Sequence, residues 1–192
     1  KVNLVAGFPW FGRWGRDTFI SLPGLCIALN DWRMFRLAID TMLEDFKDGF
    51  FPNIGEGTQA AYNSVDAPLW FFWALQQYAY INDRRKEVWQ AYSHVMRSIL
   101  ENFSEGVSNV RMDSNFLLWQ GEDGKALTWM DAIIDGNPVT ARKGYAVEIN
   151  SLWYNAVMFY RELAKLQCED GEIAKWDEFA ANFPTNFKAT FW

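Results

Sequence analysis

The stretch that decides the fold is residues 64–81, which read SVDAPLWFFWALQQYAYI. Apolar residues cover almost every side of a helix drawn through this stretch, and Pro68 falls in its first turn, where proline is tolerated. A helix that is apolar nearly all round is buried between other elements. Residues 64–81 therefore predict a central helix with neighbours on several sides.

Helical periodicity continues on both sides of this stretch, and strand patterns are scarce. Six helices are predicted, at residues 16–30, 31–47, 64–81, 84–103, 146–167 and from 171 to the end of the chain. The dipeptide Pro23-Gly24 is expected to kink or split the first of them. The other predicted elements are the two strands of a small β-hairpin, residues 110–112 and 116–118, and two long irregular connections, residues 48–63 and 119–145.

Short turns and long loops alternate between the predicted helices, which favours three antiparallel helical hairpins. The predicted fold class is therefore all-α with a small β-hairpin. In this arrangement the first, third and fifth helices run parallel, so their N-termini lie at one end. The long loops that precede the third and fifth helices reach the same end, where functional residues are expected.

Composition excludes several classes of protein. The chain has 192 residues, of which 50% are hydrophobic, and a net charge of −6, which is typical of one domain with its own core. The acidic balance and the scattered lysines and arginines argue against a nucleic-acid partner. The apolar run at residues 69–75 is too short to cross a membrane.

The cysteines and the histidine indicate neither a disulfide framework nor a metal site. Cys26 and Cys168 lie far apart, which predicts two buried free thiols and a reducing, cytoplasmic compartment. His94 is the one histidine of the chain and falls inside the predicted fourth helix. We therefore expect no metal and no cofactor.

Carboxylates and aromatic residues recur together at the starts of helices. Asp17, Asp66 and Glu148 each fall in or just before the first turn of an odd-numbered helix, and helix capping explains any one of them alone. Three carboxylates at one end favour a carbohydrate site, because carboxylates bind hydroxyls and rings stack on the apolar faces of a sugar. The neighbouring aromatic residues are Trp14, Tyr62, Trp70 and Tyr145.

Asp131 has a different setting, in the long connection directly after Trp129 and Met130. Desolvation against those side chains would favour the protonated carboxyl, which is the form that a general acid needs. An aspartate that caps a turn or a helix is the alternative. The sequence thus offers a candidate proton donor beside candidate hydroxyl binders that stay ionised at helix N-termini.

Four motifs in this order resemble those of the amylo-α-1,6-glucosidase domain of glycogen debranching enzymes. They read FPWFGRWGRDT at residues 8–18, YNSVDAPLWF at 62–71, LTWMDA at 127–132 and VEINSLWYN at 147–155. The resemblance implies an α/α toroid of six helical hairpins that hydrolyses α-1,6-linked glucose at glycogen branch points with inversion. A complete toroid has about twelve helices, so residues 1–192 are expected to be a single-domain fragment, its N-terminal half.

The resemblance also implies roles for individual residues. Asp131 would be the general acid, Arg16 and Asp17 would bind hydroxyls of the sugar, and Asp66 and Glu148 would line the same pocket. The full substrate-binding set is Trp14, Arg16, Asp17, Tyr62, Asp66, Trp129 and Glu148.

An inverting glycosidase also needs a second carboxylate about 6.5–9.5 Å from the acid to activate water. Glu56 and Glu122 are possible substitutes, but neither is a strong candidate. We therefore expect the general base to lie outside this chain.

The expected ligand is glycogen or a branched α-glucan oligosaccharide. The other expected partner is the remainder of the toroid, and an uncovered inner face predicts self-association of the isolated chain. Three alternatives stay open: another toroid α-glucosidase of the glucoamylase or trehalase kind, a non-catalytic glucan-binding helical module, and a helical interaction domain with tryptophans in its core.

Overall fold

A computed structural model describes residues 1–81 and 83–192, and α-helices dominate them. The helices are α1 (Gly15–Leu22), α2 (Trp32–Leu43), α3 (Asp66–Tyr80), α4 (Arg85–Glu105), α5 (Val147–Leu166), α6 (Asp170–Ala174) and α7 (Asp177–Phe191). All six predicted helices are present, but α1 ends at Leu22, eight residues before its predicted end at residue 30; the other bounds lie within four residues of those expected. The sixth is divided into α6 and α7 by a short break at residues 175–176.

Local chemistry explains where the first two helices begin and end. α1 ends at Leu22, and a single π-helical turn, Pro23–Ile27, follows it, as expected where proline removes a backbone donor. The carboxylate of Asp31 accepts a hydrogen bond from the backbone N–H of Met34 at 2.9 Å and caps α2. α2 stops at Leu43, four residues before its predicted end.

α3 is the central helix of the molecule, as residues 64–81 predict. It packs between α1 and α5 and also contacts α4. Phe71 lies fully buried among aromatic rings, with its centroid 5.5 Å from that of Phe19 and 5.0 Å from that of Phe51. Tyr78, two turns further on, stacks on Phe35 at 4.6 Å. Burial on several sides therefore fixes the position of α3 relative to α1 and α5.

The strands form two small antiparallel sheets. β1 (Val110–Met112), β2 (Leu118–Gln120) and β5 (Gly144–Tyr145) make one sheet in the order β1-β2-β5. β3 (Ile133–Ile134) and β4 (Asn137–Pro138) make the other. The connection at residues 119–145 is therefore less irregular than predicted, and β5 leads directly into α5.

The predicted hairpin is present, but its second strand is shifted. β2 begins at Leu118, two residues later than the expected start at Phe116. Phe116 has a φ of 66°, and the backbone N–H of Asp113 donates to the carbonyl oxygen of Leu117 at 3.0 Å. Residues 113–117 therefore form the turn, and the prediction of a strand at residues 116–118 is wrong.

Neither cysteine is in a disulfide, and no described helix is suited to cross a membrane. Cys26 and Cys168 are both free; Cys26 is buried, whereas Cys168 is exposed, so the prediction of burial is wrong for Cys168. Cys168 lies in the turn after α5 and has a φ of 58°. Among the described residues, every helix is too short or too polar to span a lipid bilayer.

Candidate active site

A pocket of about 380 Å³ lies where the N-terminal turns of three helices meet. Its lining residues are Arg16 and Ile20 of α1, Asp66 and Trp70 of α3, Glu148 and Leu152 of α5, and Trp129. Each helix contributes side chains from its first two turns, so the three N-termini lie side by side, as predicted. The volume is within the range of small-ligand sites.

A larger cavity of about 620 Å³ lies at the other end of α3 and α5, beside α6. In the described part of the chain none of the predicted site residues lines it. The smaller pocket, which several predicted site residues line, is therefore the candidate active site.

Four side chains form what we call the Arg16 cluster: Ser64, Asp66, Arg16 and Asp131. Asp66 is 1% exposed and accepts hydrogen bonds from Nε of Arg16 at 2.7 Å and from the hydroxyl of Ser64. Nη1 of Arg16 donates to Oδ2 of Asp131 at 3.0 Å. One guanidinium thus joins the start of α3 to the loop that carries the predicted general acid.

The charge of Arg16 is maintained in spite of its burial. Burial lowers its pKa, but the hydrogen bonds that it donates to Asp66 and Asp131 outweigh that effect, and the net result is a raised pKa for Arg16. Nη2 of Arg16 is buried and has no hydrogen-bond partner among the described residues. The N–H groups of Nη2 are therefore unused by any described protein group.

Backbone contacts place these side chains. Gly15 allows the first turn of α1 to approach the preceding loop, because a Cβ there would collide with the carbonyl oxygen of Pro52. The N–H of Gly15 donates to the carbonyl of Asn53 at 2.9 Å. The N–H of Val65 donates to the carbonyl of Leu127 at 2.8 Å and ties residues 127–131 to the start of α3.

A second group, the Arg142 cluster, consists of Arg142, Glu148, Trp129 and Thr128. Nη2 of Arg142 donates to Oε2 of Glu148 at 2.7 Å, and Nη1 donates to Oε1. The indole Nε1 of Trp129 donates to the same Oε1 at 3.2 Å. Burial raises the pKa of Glu148, but the hydrogen bonds from Arg142 and Trp129 outweigh this, so its pKa lies below the usual value.

Three predicted binding residues lie outside the lining of this pocket. Asp17 follows Arg16 on α1 and is exposed. Trp14 precedes α1, and its ring meets Phe11 edge to face at 6.1 Å. The hydroxyl of Tyr62 donates to the carbonyl oxygen of Asp45 at 2.7 Å. The residues that the structure does bring together are Arg16, Asp66, Trp129, Asp131 and Glu148.

The two substitute bases lie elsewhere. Glu122 accepts a hydrogen bond from Asn109 and forms an ion pair with Lys125 at 2.6 Å. Glu56 is exposed and lies 3.8 Å from a guanidinium nitrogen of Arg13. Neither lines the pocket, and both carboxylates that do line it are bound by the arginines described above.

Sequence reasoning missed Arg142 and the role of Ser64. Arg142 lies in an irregular segment with no periodicity, and its only signal is its short separation from Glu148. The hydroxyl of Ser64 accepts a hydrogen bond from the N–H of Ala67 at 3.2 Å, which is the contact of a helix cap. A serine two residues before Asp66 could therefore have been identified as a cap.

Comparison with known proteins confirms the resemblance of the four motifs. The family described as amylo-α-1,6-glucosidase matches residues 1–192, and the chain belongs to that family. A glycogen debranching enzyme of Saccharomyces cerevisiae is 24% identical over 259 residues, which cover 99% of this chain and 17% of the yeast protein. The chain thus spans only a small part of the length of that relative. No solved structure matches the present chain.

Proposed function

We propose that this chain provides the proton-donating half of an α-1,6-glucosidase active site, which releases glucose from branch points of glycogen or a related α-glucan with inversion. The observation that carries the proposal is the position of Asp131. Its carboxyl group is 31% exposed and is held by Arg16 beside a pocket that Trp129 and Trp70 help to line. A positioned carboxyl group beside aromatic walls suits acid catalysis at a glycosidic bond.

In this proposal Asp131 protonates the glycosidic oxygen as the bond to the glucosyl unit breaks. Arg16, which lines the pocket, donates to a hydroxyl of that unit, and Asp66 holds Arg16 in place. Because a guanidinium stabilises a carboxylate, the acid role also requires Nη1 of Arg16 to turn from Asp131 to the sugar when substrate binds. Trp14, Asp17 and Tyr62 would contact more distant parts of the glucan.

The general base belongs, in the same proposal, to the remainder of an α/α toroid of which these residues are the N-terminal half. Exposed apolar side chains on α2 and in the turn that precedes it support a covering partner: Leu25, Leu29, Met34 and Leu37. In the isolated chain, self-association would cover the same side chains. The two free cysteines support a reducing, cytoplasmic location.

A non-catalytic glucan-binding module is the second candidate. One observation favours it: among the described residues, both carboxylates that line the pocket are bound by arginines, so neither is available to activate water. Such a module would keep the pocket and the tryptophans without turnover.

Glucose release from a maltooligosaccharide with one α-1,6-linked glucosyl branch tests the proposal. The natural full-length protein should release glucose, and Asp131→Asn should lower the rate by about 10²–10⁴-fold, the usual contribution of general acid catalysis. The amide of the variant still offers an oxygen to Arg16, so the loop geometry is kept. Asp123→Asn is the matched control, because Asp123 is 91% exposed and its one partner among the described residues is Lys143 in the same connection.

Each outcome separates the candidates. Binding of the oligosaccharide without glucose release supports the glucan-binding module, and an unchanged rate in Asp131→Asn removes Asp131 from the acid role. Release of glucose from an α-1,4-linked oligosaccharide, with none from the α-1,6 branch, would identify another toroid α-glucosidase.

A further inference from the structure

We propose that Arg142 and Glu148 are positioning residues, which fix the indole ring of Trp129 as the wall of the pocket against which the glucosyl unit packs. The nature of the ligand rests on the proposed function. The contacts within the Arg142 cluster do not depend on it.

The hydrogen bonds of Glu148 are the first support. Its two oxygens receive two bonds from Arg142 and one from Trp129. A carboxylate has about four acceptor positions, so three are already occupied. A fork-shaped arginine contact also fixes the plane of the carboxylate. Glu148 is therefore better arranged to orient the indole N–H than to bind a sugar hydroxyl.

Arg142 is itself fixed from two directions. The side chain of Gln120, buried in β2, donates from Nε2 to the carbonyl oxygen of Arg142. Gln120 is also paired with Gly144 in the β2–β5 ladder. On the other side, Nη1 of Arg142 lies 3.4 Å from the hydroxyl oxygen of Thr128, the residue before Trp129. The sheet thus sets the position of the guanidinium that binds Glu148.

The ring of Trp129 needs such support. It is 54% exposed and has no aromatic neighbour within stacking range among the described residues, although its backbone follows the buried Thr128. An exposed indole populates several rotamers in the absence of a specific contact. The hydrogen bond to Glu148 selects the rotamer in which the ring lines the pocket.

A double-mutant cycle on oligosaccharide binding distinguishes this role from direct binding by Glu148. Trp129→Phe keeps an aromatic ring but removes the N–H, and Glu148→Leu removes the acceptor. In the natural full-length protein we expect each change to weaken binding by about fivefold, equivalent to about 1 kcal/mol. The double variant should be no weaker than either single variant, because Glu148 acts through Trp129. Multiplied losses would show that Glu148 contacts the sugar and would overturn the inference.

A second measurement needs no ligand and covers the case in which Glu148→Leu fails to fold. With 5-fluorotryptophan incorporated, the 19F signal of Trp129 is identified by its absence in Trp129→Phe. Arg142→Met should shift this signal, and it should raise KM more than it lowers kcat. Arg36→Met is the control, because Arg36 forms an exposed ion pair with Glu87 of α4. This variant should leave the Trp129 signal in place. An unmoved Trp129 signal in Arg142→Met would overturn the inference.

The two proposals can fail separately. A shifted Trp129 signal in a protein that binds no glucan leaves the positioning contacts intact and removes the proposed function. Hydrolysis by the wild type, together with multiplied losses in the cycle, keeps the proposed function and removes the positioning role.

Discussion

The Arg16 cluster and the Arg142 cluster use the same contact, an arginine bound to a first-turn carboxylate, but water reaches them very differently. The side chains of Arg16 and Asp66 are 10% and 1% exposed, whereas those of Arg142 and Glu148 are 20% and 33% exposed. Both clusters hold residues 127–131, one through Asp131 and the other through Trp129. The same short segment is thus held by two arginines, one anchored by a buried ion pair with Asp66 and the other by a partly exposed ion pair with Glu148.

The difference in burial predicts a difference in what each cluster does. Loss of one partner of a buried ion pair leaves an uncompensated charge, and this is strongly destabilising. Loss of one partner of a partly exposed pair leaves a charge that water can solvate. The Arg16 cluster should therefore support the fold as well as the site, whereas the Arg142 cluster should affect mainly the orientation of Trp129.

Asp66→Ala is expected to give the largest effect on stability. It removes the main partner of the buried Arg16, and the free energy of unfolding should fall by about 3 kcal/mol. Urea denaturation of the 192-residue chain, followed by far-UV circular dichroism, measures the loss. Asp66→Asn is the matched control, because its amide oxygen can still accept from Nε of Arg16, and it should lose less. A loss below about 1 kcal/mol in Asp66→Ala would show that burial does not govern this cluster.

Arg142→Met should have a smaller effect in the same assay. The pair with Glu148 is partly exposed, so we expect the free energy of unfolding to fall by about 1 kcal/mol. Methionine keeps much of the aliphatic packing of the arginine stem. A loss as large as that of Asp66→Ala would remove the distinction between the two clusters.

The helical part of this comparison was predictable from sequence. The apolar residues of α3 repeat within one segment, and helical periodicity is a local property of the chain. The alternation of short and long connections predicted Asp17, Asp66 and Glu148 at one end of the molecule. Asp66 and Glu148 line the pocket there, whereas Asp17 is exposed outside its lining and the preceding residue, Arg16, lines it. Helix capping, the alternative for Asp66, does not describe its buried contact with Arg16.

The connection at residues 119–145 was predicted less well, because its contacts are not local. Arg142 is held by Gln120 of β2, which pairs with β5, and nothing in the periodicity of the segment indicates that pairing. The turn at Phe116 depends on a positive φ at a non-glycine residue, which turn composition does not reveal. The pocket was therefore predictable as a place, and the partners of its carboxylates were not.

The free energy of unfolding should also depend on pH through Glu148 of the Arg142 cluster, and this effect should be smaller still. The pKa of Glu148 lies below its ordinary value of 4.5 in the folded chain. Its stabilising contribution is therefore present above about pH 4.5 and is lost as the pH falls through the lowered folded pKa. The difference in unfolding free energy between the wild type and Arg142→Met should shrink over this range. A difference that stays constant from pH 7 to pH 3 would mean that Arg142 does not act through the charge of Glu148.

Asp123→Asn should produce the smallest effect of the series. Asp123 bonds Lys143 at 2.8 Å in the same connection, but its side chain is 91% exposed, so water and salt screen the pair. The urea midpoint should be unchanged within error at both low and high ionic strength. If the midpoint instead moved as far as in Arg142→Met, exposure would not set the order of these three ion pairs, and the distinction between the Arg16 and Arg142 clusters would need another cause.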